Sequence, residues 1–266
     1  MDPIYAIGDI HGQAAELDRA LDLIEADGGA DAPIVFLGDY TDRGPDSRGV
    51  LDRLIAGRDA GRPWRFVKGN HDRMFLRFVT EGVEHDANIR SGLSWMNARL
   101  GGPATLQSYG LGEGADGAFL GAVDGGRETL TACMVDGVEL TLQELVLRAR
   151  EAVPESHVAF LAGLERMIVT PEIVFVHAGL RPGVPLDAQV ENDLVWIREG
   201  FLDDTTDHGR LVVHGHTALD APAHFGNRVD LDGGAGFGRP LVPAVFEGRR
   251  AWLLGAGGRH PLEAPA

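Results

Sequence analysis

The sequence is poor in cysteine, basic residues and long apolar runs, and each shortage excludes a class of protein. Its single cysteine, Cys133, rules out an intrachain disulfide, so both reducing and oxidising compartments stay open on that ground. Cys133 lies in a Gly- and Thr-rich stretch, where a small buried filler is a better interpretation than a nucleophile. No apolar run approaches the length of a membrane span, and no basic and apolar signal region precedes the first strand. We therefore expect a cytoplasmic protein with no membrane partner.

Positive charge is also scarce. Lysine and arginine total 24 against 40 aspartate and glutamate residues, which gives a net charge of −16. A protein that binds nucleic acid by neutralising phosphates needs a basic face, so we expect no nucleic-acid partner. The acidic surface would also repel phosphorylated substrates at long range. Any phosphate chemistry must therefore use local positive charge, from metal ions and a few arginines, inside a crevice.

The first third of the chain predicts a parallel sheet. Apolar runs at residues 4–7, 34–37 and 64–67 are separated by segments 17–24 and 50–55, whose apolar residues recur at helical spacing. The order strand, helix, strand, helix, strand is typical of parallel strands joined by right-handed crossovers. Short strand-like runs return after residue 173 and continue to about residue 254. We expect an α/β fold with two packed mixed β-sheets flanked by helices.

Residues 74–170 interrupt this rhythm. Helical patterns near 73–81, 91–100 and 141–150 predict a mostly helical insertion beside the crevice. Trp95 and Tyr109 in this insertion could contact substrate, although aromatic side chains in such segments are more often buried in the core. The length of 266 residues fits one large domain. We expect it to span 1–256 with the insertion at about 74–170, followed by a loose tail at 257–266.

Five short motifs rich in Asp, His, Asn and Arg each follow an apolar run. They are Gly8-Asp9-Ile10-His11-Gly12, Gly38-Asp39-Tyr40-Thr41-Asp42-Arg43-Gly44, Gly69-Asn70-His71-Asp72, Val176-His177-Ala178-Gly179 and His214-Gly215-His216. An apolar strand that ends in glycine and carboxylate is how an α/β sheet presents ligands at its carboxyl edge. Any one motif could be a plain turn, a solvated ion pair or a core histidine. Together, five strand ends could deliver polar side chains to one site.

In this order the motifs resemble the phosphoprotein phosphatase (PPP) family of calcineurin-like metallophosphoesterases, with the best match to its small bacterial serine/threonine phosphatases. The motifs run from residue 8 to 217. The resemblance implies a calcineurin-like metallophosphoesterase fold and hydrolysis of phosphomonoesters by direct attack of a hydroxide that bridges two metals. The expected substrate is phosphoserine or phosphothreonine in proteins, and a small phosphoester is also open.

The resemblance implies six ligands for two divalent metal ions. They are Asp9, His11, Asp39, Asn70, His177 and His216, of which Asp39 would bridge the two ions. A carboxylate suits the bridging position because its two oxygens can serve two cations. Carboxylate, imidazole and amide oxygen suit hard or borderline ions. Manganese is the ion implied by the resemblance, while the ligand types alone also permit iron or zinc.

Four further residues resemble the family's catalytic groups. His71 resembles the general acid, and Asp42 would pair with it and keep it protonated. Arg43 and Arg198 resemble the arginines that grip the phosphate with a guanidinium fork.

Two neighbouring residues have supporting roles in this interpretation. His214 lies two residues before His216, so strand alternation would point both side chains toward the same face. The resemblance, however, assigns the ligand to the histidine before threonine, so we expect His214 to support the ligand His216. The turn Asp232-Gly233-Gly234 resembles a turn near the end of bacterial relatives, where Asp232 would support the walls of the crevice without taking part in the chemistry.

Two other functions remain open at this point. A bacterial hydrolase that cleaves diadenosine tetraphosphate symmetrically shares the fold and most motifs; Asp42 weighs against it, because those relatives commonly lack an acid before the arginine. A catalytically silent binding scaffold would be expected to lose a ligand or the acid, whereas all of them are present. A preference for phosphotyrosine or for a broad range of small phosphoesters also stays open.

Overall fold

The computed structural model describes residues 2–89, 91–112, 120–124, 127–135 and 137–265. The strands are β1 (Ile4–Ile7), β2 (Ile34–Phe36), β3 (Trp64–Phe66), β4 (Leu120–Asp124), β5 (Arg127–Val135), β6 (Val138–Leu140), β7 (Met167–Val169), β8 (Ile173–Val176), β9 (Leu211–His214), β10 (Ala223–His224), β11 (Arg228–Asp230), β12 (Ala244–Glu247), β13 (Arg250–Gly255) and β14 (Gly258–Pro261). The α-helices are α1 (Ala14–Gly28), α2 (Ser47–Asp59), α3 (Asn70–Glu81), α4 (Gly102–Ser108), α5 (Leu142–Ala152), α6 (Glu155–Ala162) and α7 (Glu191–Trp196).

Two mixed sheets form the centre of the fold, as the sequence predicts. One has the strand order β14-β13-β12-β1-β2-β3, in which β1, β2 and β3 are parallel and β12 is antiparallel to β1. The other has the order β10-β11-β9-β8-β7, with β8, β9 and β11 parallel and antiparallel strands at both edges. The chain thus has the predicted α/β architecture, with parallel strands at the heart of each sheet.

The alternation of side chains along the central strands explains why the two sheets pack together. Ala6 of β1 and Val35 of β2 join a buried cluster with Phe175 and Val213 of the second sheet. Their neighbour Ile7 points the other way, into the large core that also holds the buried faces of α1 and α2. Strands buried on both faces must be apolar throughout, which is why the sequence signal for them was strong.

The insertion differs from the predicted, mostly helical form. It contains α4, α5 and α6, but also the antiparallel sheet β4-β5-β6. The described residues of the 91–100 segment form turns instead of a helix. Gly92 (φ 68°) and Gly101 (φ 95°) adopt left-handed backbone at its two ends. Trp95 and Tyr109 are buried, so their core interpretation is correct.

The end of the chain also differs from expectation. Residues 258–261 of the tail expected to be loose form β14, which pairs antiparallel with β13. Arg259 anchors this strand through an ion pair with Asp27 at the end of α1, with 2.8 Å between Nη2 and Oδ2. Backbone pairing and this ion pair join residues far apart in sequence, and local composition does not reveal them.

Within the described residues, no helix has both the length and the apolar character that crossing a membrane requires.

Candidate functional site

The five motifs meet at one edge of the two sheets. Each begins at the carboxyl end of a central strand, after β1, β2, β3, β8 or β9. Carboxyl ends of parallel strands open onto a common crevice, and here the crevices of both sheets coincide. The motifs bring together nine of the ten residues that the sequence predicts for the site, and Arg198, which follows α7, lines the same cleft as Asp39.

Asp39 lies at the centre of the predicted ligands. One of its carboxylate oxygens, Oδ2, is 3.6 Å from Nε2 of His11, and the other, Oδ1, is 3.5 Å from Nε2 of His177. Asp9 Oδ2 lies 3.9 Å from the same nitrogen of His11, and Asn70 Oδ1 lies 2.9 Å from Nε2 of His177. The two oxygens of Asp39 thus face two separate groups of side chains, which is the geometry a bridging carboxylate needs.

Two groups of three buried residues could each hold a metal ion, and Asp39 belongs to both. The first is His11, Asp39 and His71, and the second is Asp39, His177 and His216. In each group the possible ligand atoms lie within 4.8 Å of one another. His71, which the sequence assigns to catalysis, is thus close enough to His11 and Asp39 to belong to the first group.

The histidines are oriented by hydrogen bonds away from the crevice. The Nδ1 atoms of His11 and His177 lie 2.8 and 2.9 Å from the carbonyl oxygens of Thr41 and Leu37, so each donates its proton there. Their Nε2 lone pairs then face the crevice, as a metal ligand requires. Burial lowers the pKa of His11 well below its usual value, which keeps the imidazole neutral.

His216 shows most directly that these side chains fit a cation. Its Nε2 atom is buried and has no hydrogen-bond partner in the structure. Burial also lowers the pKa of His216, so the ring is a neutral acceptor. Burial, together with the charges of Asp232 and Asp39, raises the pKa of Asp9 well above its usual range. Buried acceptors and crowded carboxylates are costly without positive charge, and this donor set fits divalent cations.

His71 and Asp42 form a short, fully buried pair. His71 Nδ1 lies 2.6 Å from Asp42 Oδ2, and Asp42 also accepts bonds from Trp95 Nε1 at 2.8 Å and Thr105 Oγ1 at 2.7 Å. Three donors around one carboxylate hold it in place. The sequence names Trp95 only as a possible substrate contact or core residue and does not single out Thr105, because both come from the insertion and no local motif marks a bond to Asp42.

The hydrogen bonds of this pair favour a neutral His71 ring. Arg43 Nη2 donates to Nε2 of His71 at 3.2 Å, so the ring carries its proton on Nδ1 and is neutral. Burial lowers the pKa of His71 to about 3 and raises the pKa of Asp42 to about 7. Both pKa shifts disfavour the charged imidazolium of His71 that the family resemblance implies. A proton must therefore be taken up at Nε2 before His71 could act as an acid.

Three arginines line the cleft beside these groups. Arg43 Nη1 donates to Nε2 of His11 at 2.6 Å, and Arg198 Nη2 donates to the carbonyl oxygen of His216 at 3.1 Å. Arg181, which the sequence argument did not single out, pairs with Asp193 through Nε and Oδ2 at 2.6 Å. The cleft has a volume of about 670 Å³. Local positive charge is thus present in a protein whose overall charge is strongly negative.

Asp72 holds the loop after β2 against the start of α3. Its Oδ2 accepts the backbone N–H of Asp39 at 2.8 Å and of Gly69 at 3.1 Å, and its Oδ1 accepts that of Tyr40 at 2.9 Å. Burial and the charge of Asp39 raise the pKa of Asp72 to about 8, while these donors stabilise its charged form. Asp72 belongs to the motif Gly69-Asn70-His71-Asp72, and this position is the one sequence signal for its role.

Backbone strain is concentrated at the site. Among the described residues, the non-glycine residues with positive φ all lie in the motifs; they are His11, Asp39, Asp42, Arg43 and His216. Such conformations persist only where the surroundings enforce them. Gly69 is one enforcing element, because a Cβ atom there would lie 2.1 Å from Oδ1 of Asp39. Gly69, and likewise Gly215 beside Asp9, therefore leave room for a carboxylate.

The two residues predicted to support the site, His214 and Asp232, are both buried. His214 is fully buried; its Nδ1 lies 2.9 Å from the carbonyl oxygen of Gly215, and Arg228 Nη1 donates to its Nε2 at 3.2 Å. It thus lies behind His216 without facing the crevice. Asp232 is buried and accepts the backbone N–H of Gly234 at 2.9 Å.

Comparisons with known proteins agree with this geometry. A family described as "Calcineurin-like phosphoesterase" matches residues 2–240. A curated relative from Ralstonia nicotianae, named as a symmetrical bis(5'-nucleosyl)-tetraphosphatase, is 43% identical over 81 residues, which cover 30% of this chain and 26% of that protein. A Caenorhabditis elegans protein, named provisionally as a serine/threonine-protein phosphatase, is 39% identical over 71 residues, covering 26% of this chain and 19% of that one.

The same likeness extends to solved structures. One, provisionally titled as a diadenosine tetraphosphatase, superposes with a TM-score of 0.60 at 22% identity and covers 95% of this chain and 92% of that chain. This likeness shows the fold alone. The sequence matches span only about a quarter of the length of the bacterial relative, 26%, so its substrate is not carried over by identity.

We expect Asp72→Asn to destabilise the protein and to lower its activity. The amide would present N–H groups to backbone N–H donors and leave at least one buried donor unsatisfied, which costs about 1–3 kcal/mol. Urea unfolding monitored by tryptophan fluorescence measures the loss. Asp22→Asn on the exposed face of α1 is the matched control and should change stability by less than about 0.5 kcal/mol. Equal stability of the two variants would show that Asp72 does not hold the loop.

Proposed function

The chain belongs to the calcineurin-like phosphoesterase family, and from that premise we propose that it is a hydrolase of phosphoric esters or anhydrides that uses two divalent metal ions. The residues proposed to hold the metals are Asp9, His11, Asp39, Asn70, His177 and His216. The observation that carries this proposal is the buried, unpartnered Nε2 of His216, which faces the same space as the carboxylate of Asp39.

When bound, two such ions supply a water of lowered pKa as nucleophile and neutralise charge on the phosphoryl oxygens. Manganese is the ion we propose, and the donor set equally accepts iron or zinc. The chain's own contribution is to fix the orientation of the side chains that would bind the metals. The hydrogen bonds of His11 and His177 to backbone carbonyls do this for two of the imidazoles.

Arg43 and Arg198 are proposed to grip the phosphate. Both line the cleft beside Asp39, and a guanidinium fork matches two phosphate oxygens. His71 is proposed as the general acid that protonates the leaving oxygen. Its low pKa in the structure means that the negative charge of a bound phosphate, together with Asp42, would have to stabilise the protonated ring.

For the substrate, we propose a dinucleoside tetraphosphate cleaved symmetrically. The names of the bacterial relatives support this choice over the phosphoprotein that the sequence argument ranked first. The cleft of about 670 Å³ is within the usual size range of small-ligand sites. Arg43 and Arg198 on its walls offer positive charge to a chain of phosphates, whereas the charge of Arg181 is already paired with Asp193.

A phosphoserine or phosphothreonine residue is the second candidate, and the His71–Asp42 pair favours it. An alkoxide is a poor leaving group and needs a proton, whereas a nucleoside diphosphate leaves readily without one. A buried acid pair is therefore more useful against a phosphomonoester. One relative's provisional name, a serine/threonine-protein phosphatase, points the same way. A silent scaffold is the weakest candidate, because it would not need all the site residues in one cluster.

We expect Asp39→Asn to remove most metal binding and activity. Partners outside the ligand shell are already worth about 10–100-fold in metal affinity or activity, so losing the central ligand charge should cost at least about 100-fold. Elemental analysis after dialysis should find two equivalents of metal in the wild type and fewer than one in the variant. Asp187→Asn, on the exposed turn before α7, is the control. Two retained metals with full turnover in Asp39→Asn would refute the dinuclear site.

We expect His71→Asn to retain metal and to slow turnover in a way that depends on the leaving group. General acid catalysis is worth about 10²–10⁴-fold, and it matters most for alkyl phosphates. Rates on an alkyl phosphate and on nitrophenyl phosphate, whose leaving group is stable without a proton, measure the difference. Equal losses on both substrates would count against the general-acid role.

Substrate class is tested by initial rates with manganese on diadenosine tetraphosphate and on a phosphothreonine peptide, with Asp39→Asn as the blank. The proposal predicts faster turnover of the dinucleotide, with two molecules of ADP as product. Faster turnover of the peptide would establish the second candidate and leave the metal assignments standing. No turnover of either substrate by a protein that holds two metals would contradict both.

A further inference from the structure

Phe237 is an unusually exposed aromatic side chain beside the catalytic residues. It is 62% exposed, the highest value among the large hydrophobic side chains that the structure describes. The guanidinium carbon of Arg43 lies 4.9 Å from the centre of its ring. One face of the ring thus contacts an arginine of the cleft, while much of the side chain remains open to solvent. Exposing a phenyl ring is unfavourable, so a ligand that covers it would gain energy.

The turn that carries Phe237 is held firmly. Ala235–Phe237 forms a 3₁₀ turn between Gly234 and Gly238, both of which have left-handed backbone. The buried side chain of Ala235 anchors the turn from below. Arg239 fixes its far end by donating from Nη1 to the carbonyl oxygen of Leu219 at 3.0 Å. The ring position is therefore set before any ligand arrives, which lowers the entropy cost of binding.

Gly236 brings this turn against the site itself. A Cβ atom at this position would lie 2.6 Å from Cδ2 of His11 and 3.1 Å from Cδ of Arg43. Only a glycine allows so close an approach of the backbone to the imidazole. Phe237, the next residue, is consequently held beside Arg43.

We propose that Phe237 is a specificity-determining residue that stacks against the nucleobase of a nucleotide whose phosphate is bound at Arg43. This inference rests on the proposed function in its dinucleotide form. A flat aromatic ring stacks on any base, and such contacts need no hydrogen-bond pattern. Arg43 on one face holds the phenyl ring in place by a cation–π contact and would hold the phosphate at the same time. The substituent of that phosphate then lies close to the open part of the ring.

The test uses two competitive inhibitors that differ only in the base, adenosine 5'-monophosphate and ribose 5-phosphate. Their inhibition constants are measured against hydrolysis of nitrophenyl phosphate by the manganese-loaded protein. We expect the wild type to bind the nucleotide more tightly than the sugar phosphate. Phe237→Ala should raise the inhibition constant of adenosine 5'-monophosphate by about 5–150-fold, the range expected for loss of one base stack. The inhibition constant of ribose 5-phosphate should stay unchanged.

Two further variants control the result. Phe237→Trp keeps a stacking surface and should retain tight binding of the nucleotide. Phe225→Ala removes another phenyl ring that stacks on an arginine, since Arg228 lies 3.8 Å from the ring centre of Phe225, but Arg228 does not line the cleft. Both inhibition constants should be unchanged in Phe225→Ala. Thermal melting of all variants confirms folding, and the exposure of Phe237 predicts little loss of stability.

The proposal is overturned if the wild type binds both inhibitors equally, or if Phe237→Ala weakens both by the same factor. It is also overturned if Phe237→Ala weakens binding of a phosphothreonine peptide and spares the nucleotide, because the ring would then serve a peptide side chain. Inhibition constants do not depend on which substrate is turned over fastest. A failure of dinucleotide hydrolysis is therefore distinguishable from a failure of base stacking.

Discussion

The candidate site depends on one buried carboxylate that is not proposed to touch metal or substrate. Asp72 accepts the backbone N–H groups of Asp39, Tyr40 and Gly69, and so ties the loop after β2 to the N-terminus of α3. The same helix start donates the N–H of His71 to Oδ1 of Asp39 at 2.9 Å. Two loops from neighbouring strands are thereby locked in register, and Asp39 is left with both oxygens facing the two groups of ligands.

These hydrogen bonds let the site retain backbone conformations and buried charges that are unfavourable in free energy. Positive φ at residues such as His11, Asp39 and His216 would be unstable in a free loop. Buried acceptors and carboxylates crowded around Asp9 add an electrostatic cost that divalent cations would relieve. Among the described residues, positive φ outside glycine is thus confined to the edge where the strands end, while the sheets behind pack through largely apolar clusters. Metal binding should accordingly stabilise the folded chain as well as supply its chemistry.

Around this centre, the insertion and the late turn shape what reaches the site. Trp95 and Thr105 from the insertion fix Asp42 behind His71. The turn Ala235–Phe237 comes from the last part of the chain and contacts His11 and Arg43 through Gly236 and Phe237. Neither contribution alters the ligand set. Substrate choice can therefore be tuned in this fold without disturbing the residues proposed to bind metal.

The sequence alone determined the sheets and the positions proposed for the ligands, because both are local signals. Apolar runs such as residues 4–7 predict buried strands, and a glycine with a carboxylate or histidine directly after such a run indicates where the strand ends. Tertiary structure alone decided the remainder. The neutral form of His71 depends on burial. The hydrogen bonds of Trp95 and Asp72 and the ion pair that anchors β14 depend on partners distant in the chain. No local pattern encodes such partners, since their energies exist only once the chain has packed.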